Sequence, residues 1–339
     1  MKRALLTGGS GFIGQHLVRC LVQKGYQVRV LIRSSSSLRP SLRSVIPSVV
    51  EWVEGDVCDA AKMKEATAGA DVIFHLAGRA HTLSEAAEDE AAYHAVNVEG
   101  TRNVLEGALA GGVQRVVCFS SVKVFGEETT ECLDETAAAR PLTAYGRTKL
   151  AAEGLVQEYA RTTALRAVSL RLPLVYGPGA KGNIYRMIWA IDHHLFPPFP
   201  DLPNRRSLVH VANVVEAAVL AAQCAPTSPC YIVTDRLPYS TRKLYEMICR
   251  ALGRRIPRWA MPLAALGIFG RLGDRVGSIT KRRFPIDSAS LNKLVGSAWY
   301  NSQLISRELG YAPAIDFEDA LPELIAEYRN RAQHSSGKA

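Results

Sequence analysis

The segment Ala144-Tyr145-Gly146-Arg147-Thr148-Lys149 places a phenol and an amine four residues apart. On a helix that spacing puts both on one face. An ammonium beside a phenol favours the phenolate, so the tyrosine pKa is expected to fall below its ordinary value of about 10. A tyrosine poised this way can exchange a proton with a sugar or alcohol oxygen. Upstream, Phe119-Ser120-Ser121-Val122-Lys123 supplies two hydroxyls at the predicted end of a strand. Either could bind the same oxygen. A strand-end serine can equally satisfy backbone groups, a role that suits Ser120 better than Ser121. Tyr-x-x-x-Lys is common by chance, and an exposed helix pair is the plain alternative.

A glycine-rich stretch gives the pair its weight. Thr7-Gly8-Gly9-Ser10-Gly11-Phe12-Ile13-Gly14 follows an apolar run and opens a helical pattern, with Gly8, Gly11 and Gly14 spaced G-x-x-G-x-x-G. Glycines there allow a tight turn and close approach of the backbone to a pyrophosphate, which the helix N-terminus then holds. Gly8, Gly11, Phe12, Ile13 and Gly14 are therefore expected at a dinucleotide. The next apolar run ends in Ile32-Arg33-Ser34. An acid at that place binds the ribose hydroxyls and repels a 2′-phosphate. Ile32 removes the acid, while Arg33 and the serines after it, Ser34 to Ser37, offer a guanidinium fork and hydroxyls to a phosphate. That favours NADP(H), with NAD(H) possible. The alternative is a solvated surface arginine.

These groups need a scaffold, and the chain implies one. Its 339 residues are 47% apolar and 22% charged, enough for a large core with a smaller unit attached. Predicted strands at Arg3–Gly9, Tyr26–Arg33, Val49–Val57, Asp71–Gly78, Arg115–Val122, Ala167–Gly177 and Cys230–Asp235 alternate with helical patterns. The strands are near-continuously apolar, which predicts an α/β fold: a doubly wound parallel sheet covered on both faces. The segment Val209–Gln223 reads as an amphipathic helix, and 178–206 as proline-rich with few regular runs. A dinucleotide-binding domain of 1–171 plus 209–235 is expected, with a smaller, mostly helical substrate domain of 172–208 plus 236–333 and a frayed tail at 334–339.

Composition excludes several classes. The net charge is +9 and scattered, its densest run being Lys281-Arg282-Arg283. No zinc-finger, helix-turn-helix or RNA-binding signature accompanies it, so a polyanionic small ligand fits better than nucleic acid. Seven dispersed cysteines, none in a CxxC pair, read as reduced thiols, and no metal site is expected. Met1-Lys2-Arg3 runs straight into the first strand with no leader, so a cytoplasmic protein is expected. The longest apolar stretch, Trp259–Gly270, is too short to span a bilayer. A packed helix is the expectation there, and association of 254–283 with a membrane surface is the alternative.

Together the glycine loop, the serines and the Tyr145/Lys149 pair resemble the extended short-chain dehydrogenase/reductase (NAD-dependent epimerase/dehydratase) family of nucleotide-sugar epimerases, dehydratases and reductases. The resemblance covers nearly the whole chain. It implies Ser121, Tyr145 and Lys149 as the catalytic triad, with Tyr145 and Lys149 also touching the cofactor. It places Asp56 and Val57 of "GDVCD" at the adenine and Leu76, Ala77 and Gly78 of "HLAGRAH" along the cofactor. Asn97, Ser120 and Pro173 also belong near it, and Asn97 with Thr101 matches the family's following helix. In "NRRSLVHV", Arg206 falls where the family binds the sugar nucleotide's diphosphate, and Lys123, Asn183 and Lys293 complete the substrate set.

Departures narrow the reaction. The family's hexose 4,6-dehydratases carry Asp-Glu directly after the triad hydroxyl, whereas Val122-Lys123 stand here, which disfavours dehydration. Leu174 replaces an asparagine that touches substrate in many relatives. Leu291 lies near a second phosphate arginine of the galactose epimerases, with Lys293 as a substitute. The combination of "SSVKV", "GPGAKGN" and "NRRSLVHV" is most similar to bacterial enzymes that form UDP-N-acetyl-D-quinovosamine by 4-keto reduction, in surface polysaccharide (O-antigen) biosynthesis. A UDP-hexose or UDP-N-acetylhexosamine 4-epimerase is the alternative. A cofactor-sensing regulator of the same fold is disfavoured by the Tyr–Lys pair. The resemblance also implies a homodimer built on helices 91–110 and 145–162, whose apolar stripes include Val96, Val104, Leu105, Leu150, Leu155 and Val156.

Overall fold

Leu5 and Leu6 are neighbours in sequence and both are fully buried, yet they belong to different cores. Successive side chains on a strand point to opposite faces. A strand that is apolar at every position therefore needs a layer on each side, and the computed structural model of the chain has both. It describes residues 1–34, 49–79, 90–180, 182–268, 271 and 288–336. The main sheet is built from β1 (Arg3–Thr7), β2 (Gln27–Ile32), β3 (Glu51–Glu54), β4 (Val72–His75), β5 (Arg115–Ser121), β6 (Arg166–Leu172) and a last strand, Cys230–Ile232. All pairings are parallel, in the order β3-β2-β1-β4-β5-β6 followed by that last strand. The order reverses between β1 and β4, so the expected doubly wound sheet is present.

One face carries Leu6, Val30, Phe74, Val117 and Leu170 and is covered by α1 (Phe12–Gln23). The other carries Leu5, Leu31, Ile73, Val116 and Ala167. It is covered by α2 (Ala60–Thr67), a helix made of α3 (Glu90–His94), a π-turn (Ala95–Glu99) and α4 (Gly100–Ala110), and α5 (Ala144–Thr162). Caps fix the helix starts. Asp59 accepts from the backbone N–H groups of Ala61 and Lys62 at 3.0 Å to open α2. Thr143 accepts from Gly146 N at 3.1 Å to open α5, the helix that carries Tyr145 and Lys149.

Three local expectations are corrected. The predicted strand Ala167–Gly177 is broken at Pro173: β6 stays in the main sheet, while β7 (Leu174–Tyr176) pairs with β8 (Leu208–His210) in a separate two-stranded sheet. Proline has no N–H to give a central ladder, so the chain leaves the sheet there. The predicted helix Val209–Gln223 begins only at Val211, as α7 (Val211–Gln223), because His210 closes β8 and its Nδ1 accepts from Ala212 N. Within 178–206 a helix forms, α6 (Asn183–Asp192). Its buried Ile184, Met187, Ile188 and Ile191 recur at helical spacing, and the prolines that disguise the segment lie beyond it.

The main sheet's last strand is β9 (Cys230–Ile232). Beyond it, α6, α8 (Thr241–Leu252) and α11 (Phe317–Ser336) surround a third core of Ile188, Tyr245, Ile248, Phe317 and Leu321. A smaller cluster joins Phe199, Leu266 and Leu291, the last in α9 (Ser288–Val295). Helix α10 (Gln303–Leu309) differs from the expected division, since Ile305, Leu309 and Tyr311 pack into the first core of the main sheet. Helix α11 runs to Ser336, through the first residues of the expected tail. Ser35 to Ser37 and the basic run Lys281-Arg282-Arg283 lie outside the described residues.

Candidate active site

The site grows from the crevice where the strand order reverses. β1 ends in the glycine loop and β4 ends in Leu76-Ala77-Gly78, side by side. Gly8 takes φ +72°, and a Cβ on it would lie 2.7 Å from Ala77 N and from the Leu76 carbonyl carbon. A Cβ on Gly14 would run into the Gly8 carbonyl oxygen and Gly9. The loop closes with a bond from Gly11 N to Gly8 O at 3.0 Å, and α1 starts there with no side-chain cap. This is a cradle that any side chain would fill, opening onto an uncapped helix N-terminus. It fits a dinucleotide pyrophosphate. Gly9 was not singled out from the sequence, yet a Cβ on it would sit 2.6 Å from Val30 Cγ1. Its adjacency to Gly8 was the available signal.

Behind the crevice runs a chain of buried polar groups. Thr101 donates its hydroxyl to Asn97 O at 2.7 Å, so it accepts from His75 Nε2–H at 3.0 Å. That leaves His75 Nδ1 to accept from the Thr7 hydroxyl at 2.7 Å, while Thr7 in turn accepts from Ala77 N at 3.2 Å. The network is complete only with a neutral imidazole. Burial, aided by the Lys149 charge, pushes the His75 pKa down to about 3. Asn97 sits in the π-turn, an irregularity frequent at functional sites. Its amide accepts from Arg79 N at 2.7 Å and donates to Arg79 O and to the Thr148 hydroxyl. It thus clamps the strand that leaves β4. The sequence reading missed Thr7, His75 and Thr148, whose polarity is legible but whose contacts join residues 51 and 68 positions apart.

Tyr145 meets Ser121 through a side-chain hydrogen bond. Lys149 donates to Phe119 O at 2.9 Å, and its ammonium lies 6.0 Å from the centre of the Tyr145 ring. A Cβ on Gly78 would fall 3.2 Å from Lys149 Nζ and 3.1 Å from Asn97 Oδ1, so β4, the π-turn and α5 converge on that ammonium. The electrostatics differ from the expectation. Burial raises the Tyr145 pKa, outweighing the Ser121 hydrogen bond that lowers it. Burial lowers the Lys149 pKa, with Cys118 and Glu153 opposing. The lysine is turned to a backbone carbonyl and does not draw the phenol down; the phenol stays protonated at neutral pH.

Ser120 and Ser121 point to opposite faces of the sheet. The Ser120 hydroxyl donates to Glu153 Oε1 at 2.5 Å, beside a buried pair in which Arg171 binds the same carboxylate at 2.8 Å. Its side chain is therefore turned to Glu153 rather than to Tyr145. Ser121 Oγ accepts from Lys123 N at 3.2 Å, capping the turn Val122–Phe125.

At the far end of the cofactor crevice, Ile32 is buried and Arg33 exposed. Gly55 N bonds Ile32 O at 2.8 Å, which sets the "GDVCD" turn against the end of β2. Asp56 accepts from Cys58 N at 2.9 Å, and the Arg33 charge acts on Cys58. Val57 is buried, with a methyl group 2.9 Å from where a Cβ on Gly100 would be. Ser34 is partly exposed beside Arg33.

On the substrate side the structure gathers cations. Lys123 pairs with Glu127 at 2.5 Å. Burial lowers its pKa, Glu127 raises it, and the charges of Lys293 and Arg206 push it further down. Arg206 Nη1 donates to Gly296 O at 2.9 Å, and burial lowers the Arg206 pKa too. Arg205 turns the other way, with its guanidinium 4.5 Å over the Trp299 ring. Leu291 is buried, whereas Lys293 is exposed. Asn183 is exposed at the first turn of α6, and no contact among the described residues ties it to this group. Pro173 and Leu174 border the crevice at the exit of β6.

A model of the NAD dependent epimerase/dehydratase family matches residues 4–232. The chain belongs to that family. It is similar to the 4-hydroxy-2-methyl-3-oxo-4-farnesyl-3,4-dihydroquinoline-1-oxide ketoreductase of Stigmatella aurantiaca, at 29% identity over 95% of each chain. It is 30% identical to the UDP-glucose 4-epimerase of Vibrio cholerae, over 80% of this chain and 82% of that one. Among solved structures, the dTDP-glucose 4,6-dehydratase DesIV of Streptomyces venezuelae, with NAD bound, shares the fold at a TM-score of 0.77. It is 24% identical, with 98% of both chains covered. The family member described here is thus an NAD(P)-dependent enzyme with the oxidoreductase fold of its relatives. None of its described helices is long and apolar enough to cross a membrane.

Proposed function

We propose that the protein is an NADPH-dependent reductase of a UDP-4-keto-6-deoxy-N-acetylhexosamine, forming UDP-N-acetylquinovosamine. The observation that carries the reading is that Lys123, on the strand-end turn that Ser121 caps, lies close enough to Arg206 and Lys293 for their charges to act on it. A diphosphate held by the cations directs its sugar at the hydroxyl pair. The cofactor, when bound, would supply a hydride to sugar C4, and the O4 alkoxide then needs one proton from the protein. Tyr145 gives that proton to O4, and its raised pKa keeps the proton on the phenol until charge develops on the oxygen. Ser121, hydrogen-bonded to Tyr145, orients O4 with its own hydroxyl. Lys149, between Gly78 and Asn97, is placed to hold the nicotinamide ribose.

Two features favour net reduction. Val122-Lys123 stand where a dehydratase needs its acid pair. Arg33, exposed beside the adenine turn, favours the phosphorylated cofactor that biosynthetic reduction commonly draws on. The Stigmatella relative is a ketoreductase by name. A 4-epimerase is the second reading, favoured by the relationship to the Vibrio enzyme and by a triad that serves both reactions. We place the activity in the cytoplasm, in the supply of a surface polysaccharide, and in a homodimer. Incubating the protein with UDP-N-acetylglucosamine, and separately with its 4-keto-6-deoxy derivative plus NADPH, separates the readings. Product NMR should show the 4-hydroxy sugar from the second mixture alone. A C4 epimer from the first would establish the epimerase instead.

A further inference from the structure

The apolar stretch beyond residue 258 does not pack as a whole. Leu266 is buried with Phe199 and Leu291, and Met261 packs partly against them. Trp259, Leu263 and Ile268 face outward, 60%, 43% and 58% exposed. Two more large apolar groups, Trp189 and Leu195, are exposed on the neighbouring segment. The segments are tied together: Met261 N bonds Pro198 O at 2.9 Å, and Arg254 binds the Asp192 carboxylate at 2.8 Å and His194 Nε2 at 2.5 Å. Single exposed apolar residues are ordinary, but a group of five on adjoining segments is a surface that buries itself against something.

The charge around them indicates what that is. Residues 250–271 contain Arg250, Arg254, Arg255, Arg258 and Arg271 and no acid. Arg255, Arg258 and Arg271 are exposed. Of the acids that adjoin from other elements, Asp192 is taken by Arg254 and Tyr328, and Glu246 by Arg242 and Arg250. Asp201 stays exposed, and His193 and His194 add further basic groups. Exposed tryptophan and aliphatic groups on a segment rich in exposed arginines match the interface of an anionic bilayer, where arginine stems can lie along the surface while their heads reach out. We propose that this face, Trp189, Leu195, Trp259, Leu263 and Ile268 with Arg255 and Arg258, docks the enzyme peripherally on a membrane surface rich in anionic phospholipid. For the described residues of this stretch, surface association is thereby preferred over complete packing, without insertion across the bilayer; residues 272–283 lie outside the described residues. The face is separate from the catalytic groups, so its test is independent of the proposed reaction.

Sedimentation of the full chain with vesicles tests it. Vesicles of phosphatidylcholine containing about 30% phosphatidylglycerol should carry the protein down, and phosphatidylcholine alone should not. Trp259→Ser with Ile268→Ser should weaken partitioning by about tenfold or more, and Arg255→Glu with Arg258→Glu should weaken it similarly and remove its salt dependence. All four positions are exposed, and unchanged thermal melting and NADPH affinity will show that the variants fold. Should one pair fail to fold, the other decides. Failure of the wild-type chain to sediment with anionic vesicles overturns the proposal. So does wild-type-like binding by a folded variant, or loss of self-association, rather than of lipid binding, as the variants' only effect.

Discussion

At the scale of single residues, two adjacent serines separate structure from chemistry. Ser120 and Ser121 both sit at the end of β5, but one serves the Glu153–Arg171 pair and the other the Tyr145 phenol. Each hydroxyl satisfies a buried or capping partner, so Ser120→Ala and Ser121→Ala should each lose about 1–3 kcal/mol of stability in chemical denaturation. Only Ser121→Ala should lower turnover. The loss should be smaller than that of Tyr145→Phe, because a water can partly replace an orienting hydroxyl. A matching drop in Ser120→Ala would return that serine to the site. Arg33 carries the cofactor prediction. A charge-assisted contact to phosphate is worth about 1.5–3 kcal/mol, so calorimetry should give at least about tenfold tighter binding of NADPH than NADH, and Arg33→Ala should abolish the margin. Residue types and spacings made the triad and the glycines legible in the sequence. The direction of the Tyr145 pKa was not, because burial decides it and no spacing reports burial.

At the scale of elements, β1, β4 and the π-turn are joined by Thr7, His75, Thr101 and Asn97. This junction holds the floor of the cofactor crevice. Its neutral histidine makes a pH test available. In the unfolded chain a histidine binds a proton near pH 6.5, while His75 in the fold does so only near 3. Below pH 6.5 the unfolded state takes up a proton that the folded state refuses, so this contribution to stability is intact above pH 6.5 and is lost as pH falls toward 3. One proton is worth about 1.4 kcal/mol per pH unit. Between pH 6 and 4.5, unfolding free energy should fall less steeply in His75→Gln than in wild type, by about that amount. Equal slopes would mean that His75 is protonated in the fold. The parallel sheet and its two-faced core followed from apolar runs in the sequence. Helix α6 and the break at Pro173 did not, since a proline-rich flank hid one and an unbroken apolar run hid the other.

At the scale of the whole molecule, the expected helix pairing between copies has to be redrawn. Val104, Leu105, Leu155 and Val156, offered as an interface stripe, are buried in the second core of the same chain. They hold α4 and α5 on the sheet and are spent there. A dimer built on these helices must use their outward faces, where Glu106 and Leu109 are exposed beside half-buried Arg102 on α4, and Glu158 and Arg161 are exposed on α5. Light scattering at micromolar concentration should give the mass of two chains, and reversing the charge at Arg102 and Arg161 should halve it. A wild-type monomer would refute the pairing. Periodicity showed that these helices carry an apolar stripe; it could not say whether sheet or partner covers it, because both present the same chemistry.

The proposed reaction is tested most directly by single-turnover NADPH oxidation with a UDP-4-keto-6-deoxy-N-acetylhexosamine, comparing wild type with Tyr145→Phe. The substitution keeps the ring and removes only the proton donor. Wild type should oxidise one equivalent of NADPH per site, and Tyr145→Phe should bind cofactor normally yet react slower by about 10²–10⁴. No oxidation by the wild-type protein, or an undiminished rate in Tyr145→Phe, would contradict the account.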